Sequence, residues 1–334
     1  MKKILITSAA FFAASTVLFA QSLTVSAPGY SGAKLFDASP GFTIGGLAAS
    51  PAGDLFYIES DSAFTAPSQL CRRMAGDGYA TATPLFSFGA SIFGSFVRWE
   101  SGTVFFGENS TGVIRALNPN QTIDLLGTVV GNYDAAFSGG VLYLSHNAGG
   151  FTPLNKVSRF NLLPDGEGGL MLDTADLIVD TPSDYSGPLV FDGAGNLFYG
   201  GSGDYGQPHL HRFSAAEVAA AAGAGPAQTL DLAHQYLANG ANAYLAYDGA
   251  GKIWHSNFGT LSRIDTTVPG SVAIGSSPDF GIGHLDVASG TLFAAVTNGF
   301  YTQSSVFAVV PEPGTTGLLA LGCVALTLRR RRKD

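Results

Sequence analysis

The apolar positions of this chain fall in short runs separated by glycine-rich polar turns, and one such unit recurs along its length. The copies read LAASPAGDLFYIES (47–60), FVRWESGTVFFGEN (96–109), AAFSGGVLYLSHN (135–147), LVFDGAGNLFYGGS (189–202), LAYDGAGKIWHSN (245–257) and LDVASGTLFAAVTN (285–298). Each has a short apolar strand, a turn rich in Gly, Ser or Asp, and a second strand carrying Phe, Tyr or Trp. Glycine supplies the positive φ that tight hairpin turns need, and an Asp side chain bonds its own turn backbone. Asp192 and Asp248 read as such turn caps. The turn glycines Gly53, Gly102, Gly140, Gly195, Gly251 and Gly290 stand 49, 38, 55, 56 and 39 residues apart. Their average is near the length of a four-stranded propeller blade.

The other two strands of each unit follow the hairpin. A third reads QLCRRM (69–74), GVIRAL (112–117), KVSRFN (156–161), HLHRFS (209–214), TLSRID (260–265) and SSVFAV (304–309), with arginine inside five of the six. A fourth reads TPLFSF (83–88), TIDLLG (122–127), LIVD (177–180), QTLDLA (228–233) and SVAIG (271–275). The sixth unit lacks its outer strand, and AKLFD (33–37) near the N-terminus has the matching pattern. Pairing the two closes a ring and covers a sheet edge. The expected fold is therefore all-β, a β-propeller of six blades with an N-terminal closure strand. Seven blades follow if a long interval hides a degenerate copy, and a two-sheet sandwich leaves the six hairpins unexplained. Ser214 and Glu217 form a capping-box pattern ahead of an alanine run, which predicts a short helix ended by Gly223. LPDGEGGLMLD (163–173) is a loop insertion, and its Asp165 and Glu167 fit an acidic turn better than a calcium loop.

Both ends read as address labels. Residues 1–20 place Lys2 and Lys3 before an apolar run and a small-residue end, the order of a secretory signal cut by signal peptidase after Ala20. At the other end, Val310-Pro311-Glu312-Pro313-Gly314 precedes fifteen uncharged residues (314–328) and a basic run from Arg329 to Lys333. This arrangement resembles the PEP-CTERM sorting signal of exported bacterial proteins, with Pro311, Glu312 and Pro313 as the motif. The resemblance implies an exosortase, a membrane protease that removes the tail, as a partner. It also implies transient inner-membrane anchoring by a transmembrane helix, then delivery to the cell surface or matrix. The expected organisation is a signal at 1–20, a propeller at 21–310 and a sorting tail at 311–334.

Charge sharpens the picture once the labels are set aside. The chain carries −8 overall, but residues 21–310 hold ten basic and 23 acidic side chains, a net of −13. A body this acidic lacks the basic face that nucleic acid requires. Two cysteines exclude a disulfide framework, and Cys323 lies in the tail, so Cys71 has no partner within the body. It reads as a small apolar strand residue, with thiolate reactivity beside Arg72 and Arg73 as the alternative.

DGAGNLFYG (192–200) and DGAGKIWHS (248–256) resemble NHL-repeat and gluconolactonase-like propellers, with looser copies elsewhere. In that family, hydrolytic members hold a divalent metal in the central channel, where it polarises a lactone carbonyl and activates water. The polar residues that follow each second strand are the candidates here: Glu59, Glu108, Asn147 and Asn257 for calcium or another divalent ion, with Asn109, His146, His255 and Asn298 beside them. Asp134 and His284 start inner strands and point toward the axis. His209 and His211 share a strand face but lack further ligands. The sequence contains no dinucleotide fingerprint or nucleophile elbow. The first functional expectation is a secreted propeller that binds protein or glycan, as a surface or matrix component. A metal-dependent lactonase using the channel is the alternative, and a purely structural matrix protein is the third.

Overall fold

A computed structural model describes residues 21–147, 155–181, 186–200, 209–222, 236–239, 244–257, 259–278, 281–299 and 301–312. Its strands form six antiparallel blades of a propeller, in sequence order from blade 1 to blade 6. The innermost strands are Phe42–Ala49, Gly94–Glu100, Asn132–Ser138, Leu189–Phe191, Tyr244–Tyr247 and Gly281–Ala288. Each packs on the inner strand of the next blade, and the sixth returns to the first. Six blades, not seven, complete the ring.

Local chemistry explains why the strands turn where they do. Gly53, Gly102, Gly140, Gly195, Gly251 and Gly290 all have positive φ at the hairpin turns. Asp192 caps its turn through the amides of Ala194 and Asn196 at 2.9 Å, and Asp248 does the same for Ala250 and Lys252. The capping box forms as the sequence predicts: Ser214 and Glu217 bond reciprocally at the start of the helix Ala215–Ala221. The insertion after blade 3's third strand is a small hairpin, Leu162–Pro164 with Leu170–Leu172. Asp165 closes it by accepting the amides of Glu167 and Gly169, which makes it a turn cap.

The third-strand arginines tie strands together. Arg72 pairs with Asp54, Arg115 with Glu108 at 3.1 Å, and Arg72, Arg115 and Arg263 stack over Phe56, Phe86 and Trp254. Apolar clusters fill the gaps between blades, with Tyr57, Phe106, Phe198 and Phe213 fully buried. Cys71 sits in one of them, where desolvation, then the Glu59 charge, push its thiol up to about 12. It is an apolar core residue.

Closure uses more N-terminal chain than the pattern suggests. Tyr30–Asp37 is the outer strand of blade 6, paired with Ser304–Pro311. Thr24–Val25 adds a fifth strand to blade 5 by pairing with Gly275 and Ser276. Two expectations need correction. The outer strand of blade 4 is Tyr236–Asn239, paired with His209–His211, and residues 228–233 lie outside the described residues. The transmembrane helix is also not borne out: among the described residues no helix is long and apolar enough to cross a membrane. Fifteen residues at about 1.5 Å each fall short of a bilayer core of about 30 Å. Residues 1–20 and 313–334 lie outside the described residues.

Candidate functional site

The hairpin turns define one face of the ring, here the lower face, and the starts of the inner strands define the upper one. At the upper mouth of the channel is a cavity of about 290 Å³. Its walls are Tyr133 from blade 3, Tyr244 from blade 5, His284 and Tyr301 from blade 6, and the glycines at the strand starts. Those glycines let the backbones converge. A Cβ on Gly45 would lie 2.9 Å from the carbonyl oxygen of Gly94 on the neighbouring blade.

The aromatic side chains form a continuous surface. Tyr133 and Tyr244 stack with ring centroids 5.9 Å apart and planes 12° from parallel, and Tyr244 lies 3.9 Å from the His284 ring. Burial pushes both phenols above their ordinary value, so they stay protonated. Burial, then the charge of Arg98, hold His284 down at about 3, so its imidazole is neutral near pH 7. Among the described residues, no Asp, Glu, Lys or Arg lines this cavity. It offers neutral donors, acceptors and ring faces.

Deeper in the channel the chemistry reverses. Arg98 of blade 2 pairs with Asp134 of blade 3 at 2.5 Å and also donates to the carbonyl of Ala135. The other oxygen of Asp134 accepts the amide of Leu189 on blade 4 at 3.1 Å. Asp286 of blade 6 accepts the amides of Ala49 on blade 1 and of Val287, at 2.7 and 2.9 Å. Burial raises both carboxyls, and the nearby Arg98 pulls each back down. These three side chains stitch neighbouring inner strands together. Arg98 and Asp286 also line a lower cavity of about 150 Å³.

This arrangement does not fit a divalent metal in the channel. Both carboxylates already spend their oxygens on backbone amides or on the guanidinium, which holds the cationic position. Nor does any group of three or more His, Cys, Asp or Glu among the described residues have metal-binding spacing. The four sequence candidates stand on blades 1, 2, 3 and 5, each at the upper end of a second strand. Glu59 accepts the Ser39 amide at 3.1 Å and its hydroxyl at 2.7 Å, and Glu108 holds Arg115 and Thr111. The Asn147 backbone N–H donates to the Gly131 carbonyl at 3.2 Å, and Asn257 is exposed. His146 bonds Ser158 at 2.8 Å, while among the described residues neither ring nitrogen of buried His255 has a hydrogen-bond partner. Asn109 starts the turn after its strand, its amide bonded to the Phe93 carbonyl, and Asn298 caps its own turn through Thr302 and Gln303.

Sequence reading placed Asp134 and His284 at the axis and passed over Tyr133, Tyr244, Arg98 and Asp286. Position relative to the turn glycine would have found them. Tyr133 and Tyr244 each stand seven residues before it, and Arg98 and Asp286 each four.

The comparisons agree with this fold and with export. Residues 309–333 match the PEP-CTERM protein-sorting motif, which marks the chain for the exosortase pathway. No curated protein matches the chain. A gluconolactonase from Xanthomonas campestris is similar at 15% identity, over 87% of this chain and 95% of that one, with a TM-score of 0.57. The PQQ-bound aldose sugar dehydrogenase from Streptomyces coelicolor is also 15% identical, over 87% and 98%, with a TM-score of 0.55. A calcium-binding regucalcin from Agrobacterium tumefaciens reaches 11%, over 85% and 96%, with a TM-score of 0.55. At these identities the likeness establishes a shared propeller fold, and with it the exported chain is a six-bladed β-propeller carrying a PEP-CTERM sorting motif.

Proposed function

We propose that this protein is an exported surface or matrix propeller whose upper channel mouth binds a small neutral ring, of the sugar or sugar-lactone class. The observation that carries this reading is the Tyr133–Tyr244–His284 surface around a cavity of about 290 Å³. Stacked aromatic faces take the apolar face of a sugar ring, and phenol and imidazole groups take its hydroxyls. The absence of charge from the described lining favours a neutral ligand over a sugar acid or phosphate. Two of the similar structures are named for sugar chemistry, which supports the same ligand class.

Delivery would proceed by signal peptidase cleavage after Ala20 and exosortase processing at Pro311–Glu312–Pro313, leaving the propeller as the mature body. Lactone hydrolysis is the second reading, supported by the likeness to a gluconolactonase. The likeness to enzymes favours turnover, and the side chains of the site are the reason that binding is placed first here. An imidazole held at about 3 is a weak general base near neutral pH, and the channel carboxylates do not fit a metal.

Isothermal titration of the purified exported protein against neutral monosaccharides and aldonolactones tests the reading. Saturable binding by at least one, lost in Tyr133→Ala, is the expected result. Hydrolysis of a lactone that EDTA abolishes would move the assignment to the metal-dependent enzyme. No binding across the panel would remove the sugar-class reading.

A further inference from the structure

The last strand of blade 6 and the sorting motif are one piece of chain. The motif match begins at residue 309, and the strand Ser304–Pro311 runs through its first three residues. Along the outer edge of that strand lies the N-terminal closure strand. Gly32 stands opposite Val309, Ser31 opposite Val310 and Tyr30 opposite Pro311. One residue further on, the Glu312 amide donates to the carbonyl of Gly29 at 2.8 Å. Gly29 has φ +82°, a conformation that an L side chain would strain, and it turns the chain into the closure strand.

The N-terminal segment is itself anchored before it reaches the motif. Gln21 is buried, its side-chain amide donating to the Gln303 carbonyl at 3.2 Å and accepting from Ser305 at 2.8 Å. Val25 pairs with Gly275 on blade 5, and Tyr30 packs edge-on against Trp254 at 5.6 Å. Peeling residues 29–32 away therefore breaks contacts on two blades. A protease must take its substrate backbone in an open, extended form, so a paired segment is cut only when it opens locally.

We propose that residues 29–32 clasp Val309–Glu312 into blade 6 throughout sorting, and that the processing cut falls on the C-terminal side of Glu312. The bond broken is a peptide bond beyond Glu312. Its acyl carbon passes to water or to an acceptor amine, and the tail leaves with the nitrogen as a free amine. The mature chain then ends in the blade whose outer strand it supplies at its start, and the ring stays closed.

Intact mass and C-terminal peptide sequencing of the protein exported by cells with an active sorting system test this. The expected C-terminus is Glu312 or a later residue, and any earlier one overturns the proposal. In the same protein, hydrogen exchange at the Glu312 amide should be slowed at least tenfold against the unstructured rate. Exchange at the unstructured rate overturns the clasp. A six-residue Gly/Ser insertion between Val310 and Pro311 leaves the strand through Val310 in place but detaches the motif. New cuts upstream of Glu312, including within the insertion, are then expected. An unchanged cut would show that sequence reading alone sets the position, and would overturn the clasp's role.

Discussion

The two ends of the channel are built from the same six inner strands and handle polar groups in opposite ways. In the lower part, Arg98, Asp134 and Asp286 spend their hydrogen bonds on one another or on the backbones of adjacent blades. At the upper mouth, Tyr133, Tyr244 and His284 present neutral polar edges and ring faces to a cavity. Polarity near a propeller axis therefore says little by itself. What marks a channel carboxylate as structural is that protein donors already occupy its oxygens. Glu59 and Glu108 fall on the structural side by that measure, since each holds protein partners.

The largest test of the contrast removes the lower cation. Arg98→Leu leaves Asp134 buried without its counter-ion, and chemical denaturation should show a loss of about 3–5 kcal/mol. A loss below about 1 kcal/mol would mean that the cluster does not hold the inner strands together. His255 is a third kind of polar group, buried with neither nitrogen bonded among the described residues. His255→Leu should raise stability at pH 7 by about 1–3 kcal/mol, the range for relieving an unsatisfied buried group.

The same variant carries a pH signature. Burial holds His255 down at about 4, while the unfolded chain takes up that proton near pH 6.5. The unfolded state binds more protons between those values, so stability falls as pH drops from about 6.5 toward 4. Thermal melts across that window should show a shallower fall for His255→Leu than for the parent. An equal slope would assign the acid sensitivity to other groups.

At the upper mouth the effects are smaller and fall on binding. Tyr244→Ala should weaken the ligand about tenfold, which is about 1.4 kcal/mol, while Tyr244→Phe keeps the ring face and most of the affinity. Equal losses in the two variants would place the interaction on the hydroxyl instead. The smallest effect is at Cys71. Iodoacetamide at pH 8 should leave it unmodified in the folded protein and label it fully after denaturation, because the thiol is buried and titrates at about 12.

Local signals in the sequence carried the architecture well. The turn glycines, the Ser214–Glu217 capping box and the AKLFD closure strand each depend on a few adjacent residues, and each forms as its chemistry requires. Long-range partners were harder to read. Asp286 bonds Ala49 from 237 positions away, and nothing near either residue announces the other. The outer strand of blade 4 was misplaced because QTLDLA and YLAN both carry an edge-strand pattern, and pairing with His209–His211 decides between them. The upper site was hidden for a different reason. Tyr133 and Tyr244 look like ordinary strand aromatics until their shared offset from the turn glycines aligns them on one mouth.

The central claim is that the ligand sits at the upper mouth, and backbone NMR of the exported protein tests it directly. Gly45, Gly94, Gly281 and Gly283 line that cavity, whereas Gly53, Gly140, Gly251 and Gly290 lie in the lower turns. On titration with the tightest sugar or lactone of the panel, the amide shifts of the first four glycines should move together and saturate. Movement confined to the lower-turn glycines would contradict the account and place the ligand on the opposite face.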